Sequence, residues 1–317
     1  MTDAQSVVSQ FISLLTIDHS PFTNLASKVT NRWLMFTLNC NGRLLTVDKP
    51  LVMGIINATP DSFYENSRFT GNDAILEQVE KMLDEGVAII DLGGQSTRPG
   101  SKPISAEEEL NRIIPAIRII NQKFPEVFIS ADTFYSAVAI EAIAAGAVII
   151  NDISAGSLDN KMIKTAAGLS VPYVLMHMQG TPQNMHKNPK YENVTREVLD
   201  FFIKKVDELK IAGIHDIIID PGFGFGKTAE HNFELLRNLS VLQMLEKPIL
   251  IGVSRKSTIY KTLGIEVNEA LNGTTVLNTM ALMNGATILR VHDVKETVEA
   301  VKLFRAYSGE ESGHKAH

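Results

Sequence analysis

Three polar residues stand inside or at the end of long apolar runs: Asp132 in VFISADT, Asn151 in AVIINDI and Asp220 in DIIIDPG. A carboxylate in such surroundings is costly unless donors meet it. A nitrogen-rich ligand ring is one source of donors and a nest of backbone N–H groups is another; the residues alone leave both open. Four cations, Arg98, Lys256, Arg290 and His292, follow three other apolar runs of a chain whose net charge is −6. Fixed cations gathered at one edge suit an anionic substrate such as a phosphate or diphosphate. Asp152 and Asp293 precede helical segments and read as helix caps.

The stretch DPGFGFGKT, residues 220–228, looks at first like a nucleotide-binding loop. That motif needs Gly, four residues, then Gly-Lys-Ser/Thr. Counting back from Gly226, the first glycine falls on Pro221, which has no backbone N–H to give a phosphate. The glycines therefore serve something else. No HExxH pair and no Ser-His-Asp set is present. His292, beside Arg290, is the histidine expected at a site, whereas His177 reads as an interior hydrogen-bonding residue. Asn57 alone is only a weak oxygen ligand for Mg²⁺.

These residues need elements to bring them together. Eight short apolar runs, at 51–57, 87–93, 127–133, 147–153, 171–177, 216–222, 248–254 and 286–292, alternate with longer segments of helical periodicity. Continuous rather than alternating apolar runs suit strands buried on both faces. Strand then helix, eight times, predicts an α/β fold of the (β/α)₈ TIM-barrel type, whose chemistry sits at the C-terminal strand ends. A doubly wound open sheet competes. Ahead of the barrel, FTLNCNGRLLTV (36–47) predicts a hairpin turning at Asn41-Gly42. Residues 4–15 suit a short amphipathic helix. The organisation expected is an N-terminal extension over 1–35, a barrel with its hairpin over 36–309, and a disordered polar tail over 310–317.

Composition bounds the rest. With 44% apolar and 21% charged residues among 317, the chain has the balance of a globular protein with a large core. The acidic balance argues against nucleic acid as a partner. No apolar run approaches the ~18 residues of a membrane span. One cysteine, Cys40, excludes an internal disulfide and a thiolate zinc cage. The N-terminus lacks a secretory signal pattern, and a cytoplasmic location is expected.

Seven stretches, in order, resemble one family. MGIINATPDSF (53–63), STRPG (96–100), INDI (150–153), LMHMQGTPQNM (175–185), DPGFGFGK (220–227), SRKS (254–257) and RVHD (290–293) are similar to the dihydropteroate synthases of folate biosynthesis. The resemblance runs from about 36 to 305. It implies a TIM-barrel transferase, commonly a homodimer, that joins 6-hydroxymethyl-7,8-dihydropterin diphosphate to p-aminobenzoate. The products are 7,8-dihydropteroate and diphosphate, by an SN1-like path with Mg²⁺ on the leaving group. It implies that Asp132, Asn151, Asp220 and Lys256 bind the pterin, with Ile153 and Met176 against its ring. Asn57 would hold the Mg²⁺ and, with Arg98, Arg290 and His292, the diphosphate. Phe63, Thr97, Pro99, Phe225 and Ser257 would shape the p-aminobenzoate pocket, which sulfonamides also occupy. Asp132, Asp220, Lys256 and Arg98 are the residues on which catalysis would rest. TVEAVKLFRAY, in the last helix, is the candidate dimer surface.

The chain departs from the family pattern in places. Tyr64-Glu65-Asn66-Ser67 stand where Ser-Asp-Gly-Gly is usual, Gly94-Gln95 where Ala-Glu is common, and Phe134-Tyr135-Ser136 where Ser-Lys-Pro is usual. The altered 64–67 segment is what a non-catalytic pterin-binding paralogue would show. A pterin-dependent methyltransferase is the other alternative, but it has no need of STRPG, SRKS or the Arg290-His292 pair.

Overall fold

A computed structural model of the chain describes residues 35–58, 71–95, 104–185 and 189–309. The expected N-terminal extension (apart from Met35) and the polar tail lie outside these residues, as do the stretches that hold Phe63, Tyr64 to Ser67, and Thr97 to Pro99.

The first described element is the hairpin. Strand β1 (Phe36–Cys40) pairs antiparallel with β2 (Arg43–Val47). Asn41 and Gly42 both take positive φ, 54° and 85°, the geometry that makes Asn-Gly the favoured two-residue turn. Its inner residues Leu38, Cys40, Leu45 and Val47 pack against Met53, Ile89, Ile149, Val174, Ile218 and Ile288. The hairpin thus closes the N-terminal end of the barrel.

Eight parallel strands follow: β3 (Leu51–Asn57), β4 (Ile89–Gly93), β5 (Phe128–Asp132), β6 (Ile149–Asp152), β7 (Tyr173–Met176), β8 (Ile217–Asp220), β9 (Leu250–Ile251) and β10 (Ile288–Val291). Each pairs with the next, from β3 to β8, and β10 sits between β9 and β3. The ring is joined between β8 and β9 by one parallel bridge, Ile219 to Ile249, with Ile219 N donating to Pro248 O at 2.9 Å. The closed ring, rather than an open sheet, is the architecture. The seventh strand is much shorter than the run PILIGVS predicts, because beyond Ile251 the chain turns through Arg255 at φ 53°.

Helices cover the outside: α1 (Gly71–Asp84), α2 (Ala106–Lys123), α3 (Ser136–Ala145), α4 (Met162–Leu169), α5 (Val194–Ile211), α6 (Ala229–Arg237), α7 (Ser257–Leu263), α8 (Leu271–Met283) and α9 (Val294–Tyr307). Helix α2 is capped by Ser105, whose side chain accepts from Glu108 N at 3.1 Å. The Glu108 carboxylate accepts from Arg112 one turn on. The apolar face of α2 buries Ile113, Ile117 and Ile120 completely against the strands. At roughly 1.5–3 kcal/mol for each fully buried large aliphatic side chain, such faces hold the shell to the barrel. Among the described residues no helix is long and apolar enough to cross a membrane.

Candidate active site

The strand register delivers the polar residues to the C-terminal rim. Asp132 pairs with Asn151 across β5 and β6, and Asp220 with Met176 across β7 and β8. One residue the sequence reading passed over joins them: Asp91, in the run VAIIDLG, wholly buried on β4. Asn151 Nδ2 donates to both Asp91 oxygens at 3.2 Å. Arg290, from β10, donates through Nε to Asp91 Oδ2 at 2.6 Å and through Nη2 to Asp132 Oδ2 at 2.5 Å. Asp91 could have been found by the signal that found Asp132: an acid within an apolar run.

On the opposite side, Asp220 Oδ1 accepts from Gly222 N at 2.7 Å. Lys256 donates through Nζ to Phe223 O at 2.5 Å and lies 4.6 Å from the centre of the Phe225 ring. Its placement depends on Arg255, whose guanidinium grips Asp293 through two bonds of 2.9 and 2.8 Å. Arg255 N also donates to Thr274 Oγ1 at 3.1 Å, which fixes the left-handed turn. Arg255 is therefore a scaffold cation, and Asp293 its anchor. Asp152 is structural too: its carboxylate accepts from Ser154 N and Oγ, Gly156 N and Tyr173 Oη.

The apolar wall is Ile153, Met176, Met185 and Phe225, with Phe134 and Met178 packed beside it. His292 is exposed next to Ser254, whose Oγ lies 3.1 Å from His292 Nδ1. Ser257, half-buried, opens α7 directly after Lys256. The Asp132, Asn151, Asp220, Lys256 and Arg290 set thus comes together, and Ile153, Met176 and Phe225 form one surface beside it. Arg98, Thr97, Pro99 and Phe63 lie outside the described residues.

The glycines of DPGFGFGKT allow close approach. Gly222 (φ 69°) would place a Cβ 1.9 Å from His177 O, and Gly226 (φ 62°) would place one 2.4 Å from Gln179 O. Only residues without a side chain fit these contacts in a left-handed conformation. The turn lies on the loop after β7 and leaves the motif's lysine pointing inward. Lys227 is buried, 2.9 Å from His177 Nδ1. The interior role expected of His177 is the one seen.

Burial dominates the electrostatics. It pushes the Asp132 carboxyl up to about 7, against the pull of Arg290. It raises Asp220 as well, opposed by Lys256 and the Gly222 N–H. The Lys256 ammonium is held down to about 8 by burial, with Asp220 working the other way. A cluster of this kind costs several kcal/mol per ion unless every member is bonded. Carboxylates, an amide and an ammonium beside a flat apolar wall can read the donors and acceptors of a planar heterocycle.

The expected Mg²⁺ site on Asn57 is corrected. Among the described residues no group of three or more His, Cys, Asp or Glu side chains comes together to hold a metal ion. Asn57 is an exposed amide at the end of β3. The rim carboxylates that could have joined it are engaged: Asp91 and Asp132 with Arg290, Asp152 with Ser154 and Gly156. Among the described residues the donor set does not fit the ion.

Comparison with known proteins gives the same picture. Residues 53–292 match the family described as pterin binding enzyme. The dihydropteroate synthase of Haemophilus influenzae is 43% identical over 271 residues, covering 85% of this chain and 98% of that one. The Yersinia pestis dihydropteroate synthase, solved with a sulfonamide drug, superposes with a TM-score of 0.81 at 40% identity, over 86% of this chain and 100% of that one. The Xanthomonas albilineans enzyme has been solved with 4-aminobenzoic acid (TM-score 0.80, 40% identity, 86% and 97% covered). It has also been solved with 7,8-dihydropteroate (TM-score 0.77, 37% identity, 86% and 98% covered). The chain belongs to the dihydropteroate synthase family of pterin-binding enzymes.

Proposed function

We propose that the chain condenses 6-hydroxymethyl-7,8-dihydropterin diphosphate with p-aminobenzoate, giving 7,8-dihydropteroate and diphosphate. The C–O bond from the pterin methylene to the diphosphate breaks, its electron pair leaving with the diphosphate. The aminobenzoate nitrogen forms the new C–N bond and loses one proton. The observation that carries this reading is the convergence of Asp91, Asp132, Asn151, Asp220, Lys256 and Arg290 at one rim of the barrel beside Met176 and Phe225.

In this reading the pterin's ring N–H and amino groups face Asp132 and Asp220, and its acceptors face Asn151 and Lys256. Ile153 and Met176 lie against the ring. Arg290 and His292 face the diphosphate; Arg290 holds two acids in place while doing so. Carboxylates near the methylene favour the positive charge that grows there as diphosphate departs in an SN1-like step. No protein nucleophile is then required. Phe225 and Ser257 border the aminobenzoate, and a sulfonamide would compete there. Arg98, Asn57, Thr97, Pro99 and Phe63 are assigned to the diphosphate and aminobenzoate on their motifs.

A homodimer fits the surface. Val276, Met280 and Met283 form an exposed apolar stripe on α8, and Leu303 and Tyr307, 72% and 80% exposed, do so on α9. An apolar face of this kind suits a second copy of the chain. The functional reading is tested by supplying both substrates and identifying the product by mass. Dihydropteroate is expected from the wild type and lost in Asp220→Asn. A protein that binds the pterin and forms no product would be a non-catalytic pterin binder.

A further inference from the structure

The mechanism makes no use of one buried ionisable group, Lys227, which is 6% exposed. Its Nζ donates to Gly222 O at 3.0 Å, Phe225 O at 3.2 Å and His177 O at 3.4 Å, and lies 2.9 Å from His177 Nδ1. Four acceptors surround one ammonium, and none of them is a carboxylate. Burying a cation without an anion in contact is expensive, and it persists where several dipoles replace its hydration. Burial pushes the His177 imidazole down to about 2 and so keeps the ring neutral; opposite an ammonium, which can only donate, the tautomer that fits leaves Nδ1 as the acceptor. The acceptors come from two segments, the loop after β7 and the turn after β8, so the ammonium ties one to the other.

That turn reaches the site in two places. Phe223 O accepts from Lys256, and the Phe225 ring lies beneath the same ammonium. On its far side Tyr191 Oη donates to Gly226 O at 2.9 Å. We propose that Lys227 is a positioning residue, which pins the turn 222–226 to the loop after β7 and so sets where the Phe225 ring stands. The lysine that imitates a phosphate-binding motif thus acts on the chain's own carbonyls. The consequence for p-aminobenzoate rests on the functional reading above.

The test compares wild type with Lys227→Met, an unbranched side chain without donors. Two readouts are taken: the KM for p-aminobenzoate beside the pterin affinity, and amide hydrogen exchange across 222–226. The expected result is a KM raised at least tenfold, pterin affinity within threefold, and exchange in 222–226 at least tenfold faster while β8 stays protected. A variant with a lower melting temperature but unchanged KM and local exchange would overturn the proposal. If Lys227→Met does not fold, Tyr191→Phe decides, since it removes only the bond to Gly226 O. Faster exchange in 222–226 and a KM raised at least twofold support the pinned turn, and no change in either overturns it. Should the wild type form no dihydropteroate, the functional reading fails, while local exchange still decides the role of Lys227.

Discussion

Asp91→Asn tests the buried network most sharply, because it changes charge and almost no volume. Asp91 receives two donors: Asn151 Nδ2 at 3.2 Å and Arg290 Nε at 2.6 Å. An asparagine there offers one oxygen and one NH₂, so one of those donors must face a donor. The guanidinium makes the stronger bond and keeps the oxygen; Asn151 then loses one of its two bonds and faces an NH₂ in its place. Breaking a buried ion pair costs about 3–5 kcal/mol, and because Arg290 retains Asp132 the low end applies, about 3 kcal/mol. For a chain of this size that is a fall of about 4–5 °C in melting temperature. An Asn151 turned away from that NH₂ also costs the pterin one well-placed partner, about 1.4 kcal/mol or about tenfold in affinity. Urea unfolding gives the first figure, provided the slope m is unchanged, and calorimetric titration with the pterin gives the second. A variant within about 1 °C of wild type with unaltered pterin affinity would refute the claim that Asp91 orders Arg290 and Asn151.

Three further outcomes follow from the same structure. Burial raises the Glu109 carboxyl from 4.5 to about 8 while Thr133 Oγ1 donates to it at 3.1 Å. The folded state therefore holds a proton that the unfolded state has released, and Glu109's contribution to stability declines as pH rises from 4.5 to 8. Glu109→Gln is expected to remove that decline, and to be more stable than wild type at about pH 8 by thermal melting. Gly222→Ala should destabilise by about 3 kcal/mol or more, from left-handed strain plus overlap with His177 O. Gly224→Ala should cost less, since a Cβ there meets only the flexible Lys256 chain at 3.2 Å; equal losses would contradict the packing described. Met280→Asp is expected to shift sedimentation from dimer to monomer with the fold intact, and an unchanged dimer would remove α8 from the interface.

The barrel was legible because its strands are apolar on both faces and its helices on one. The hairpin was legible because Asn41-Gly42 demands positive φ at both turn residues. Asp132, Asn151 and Asp220 could be picked out because each interrupts or ends an apolar run, and Lys256 because it is a cation just beyond one. Asp91 escaped because it sits two residues before the end of β4, where an acid draws less notice than at a strand end. The length of β9 escaped because nothing local announces that Arg255 will turn left-handed; Asp293 and Thr274 impose that turn from far along the chain. The Lys227–His177 contact joins residues fifty apart in sequence and exists only once the turn lies on its neighbour. The metal expectation came from family likeness rather than from the donors, and among the described residues the donors do not gather.

The measurement closest to the central claim is diphosphate release from 6-hydroxymethyl-7,8-dihydropterin diphosphate, followed with and without p-aminobenzoate. Release is expected to depend on p-aminobenzoate and to be matched mole for mole by 7,8-dihydropteroate. Release at the same rate in its absence, or none from protein that binds the pterin, would contradict it.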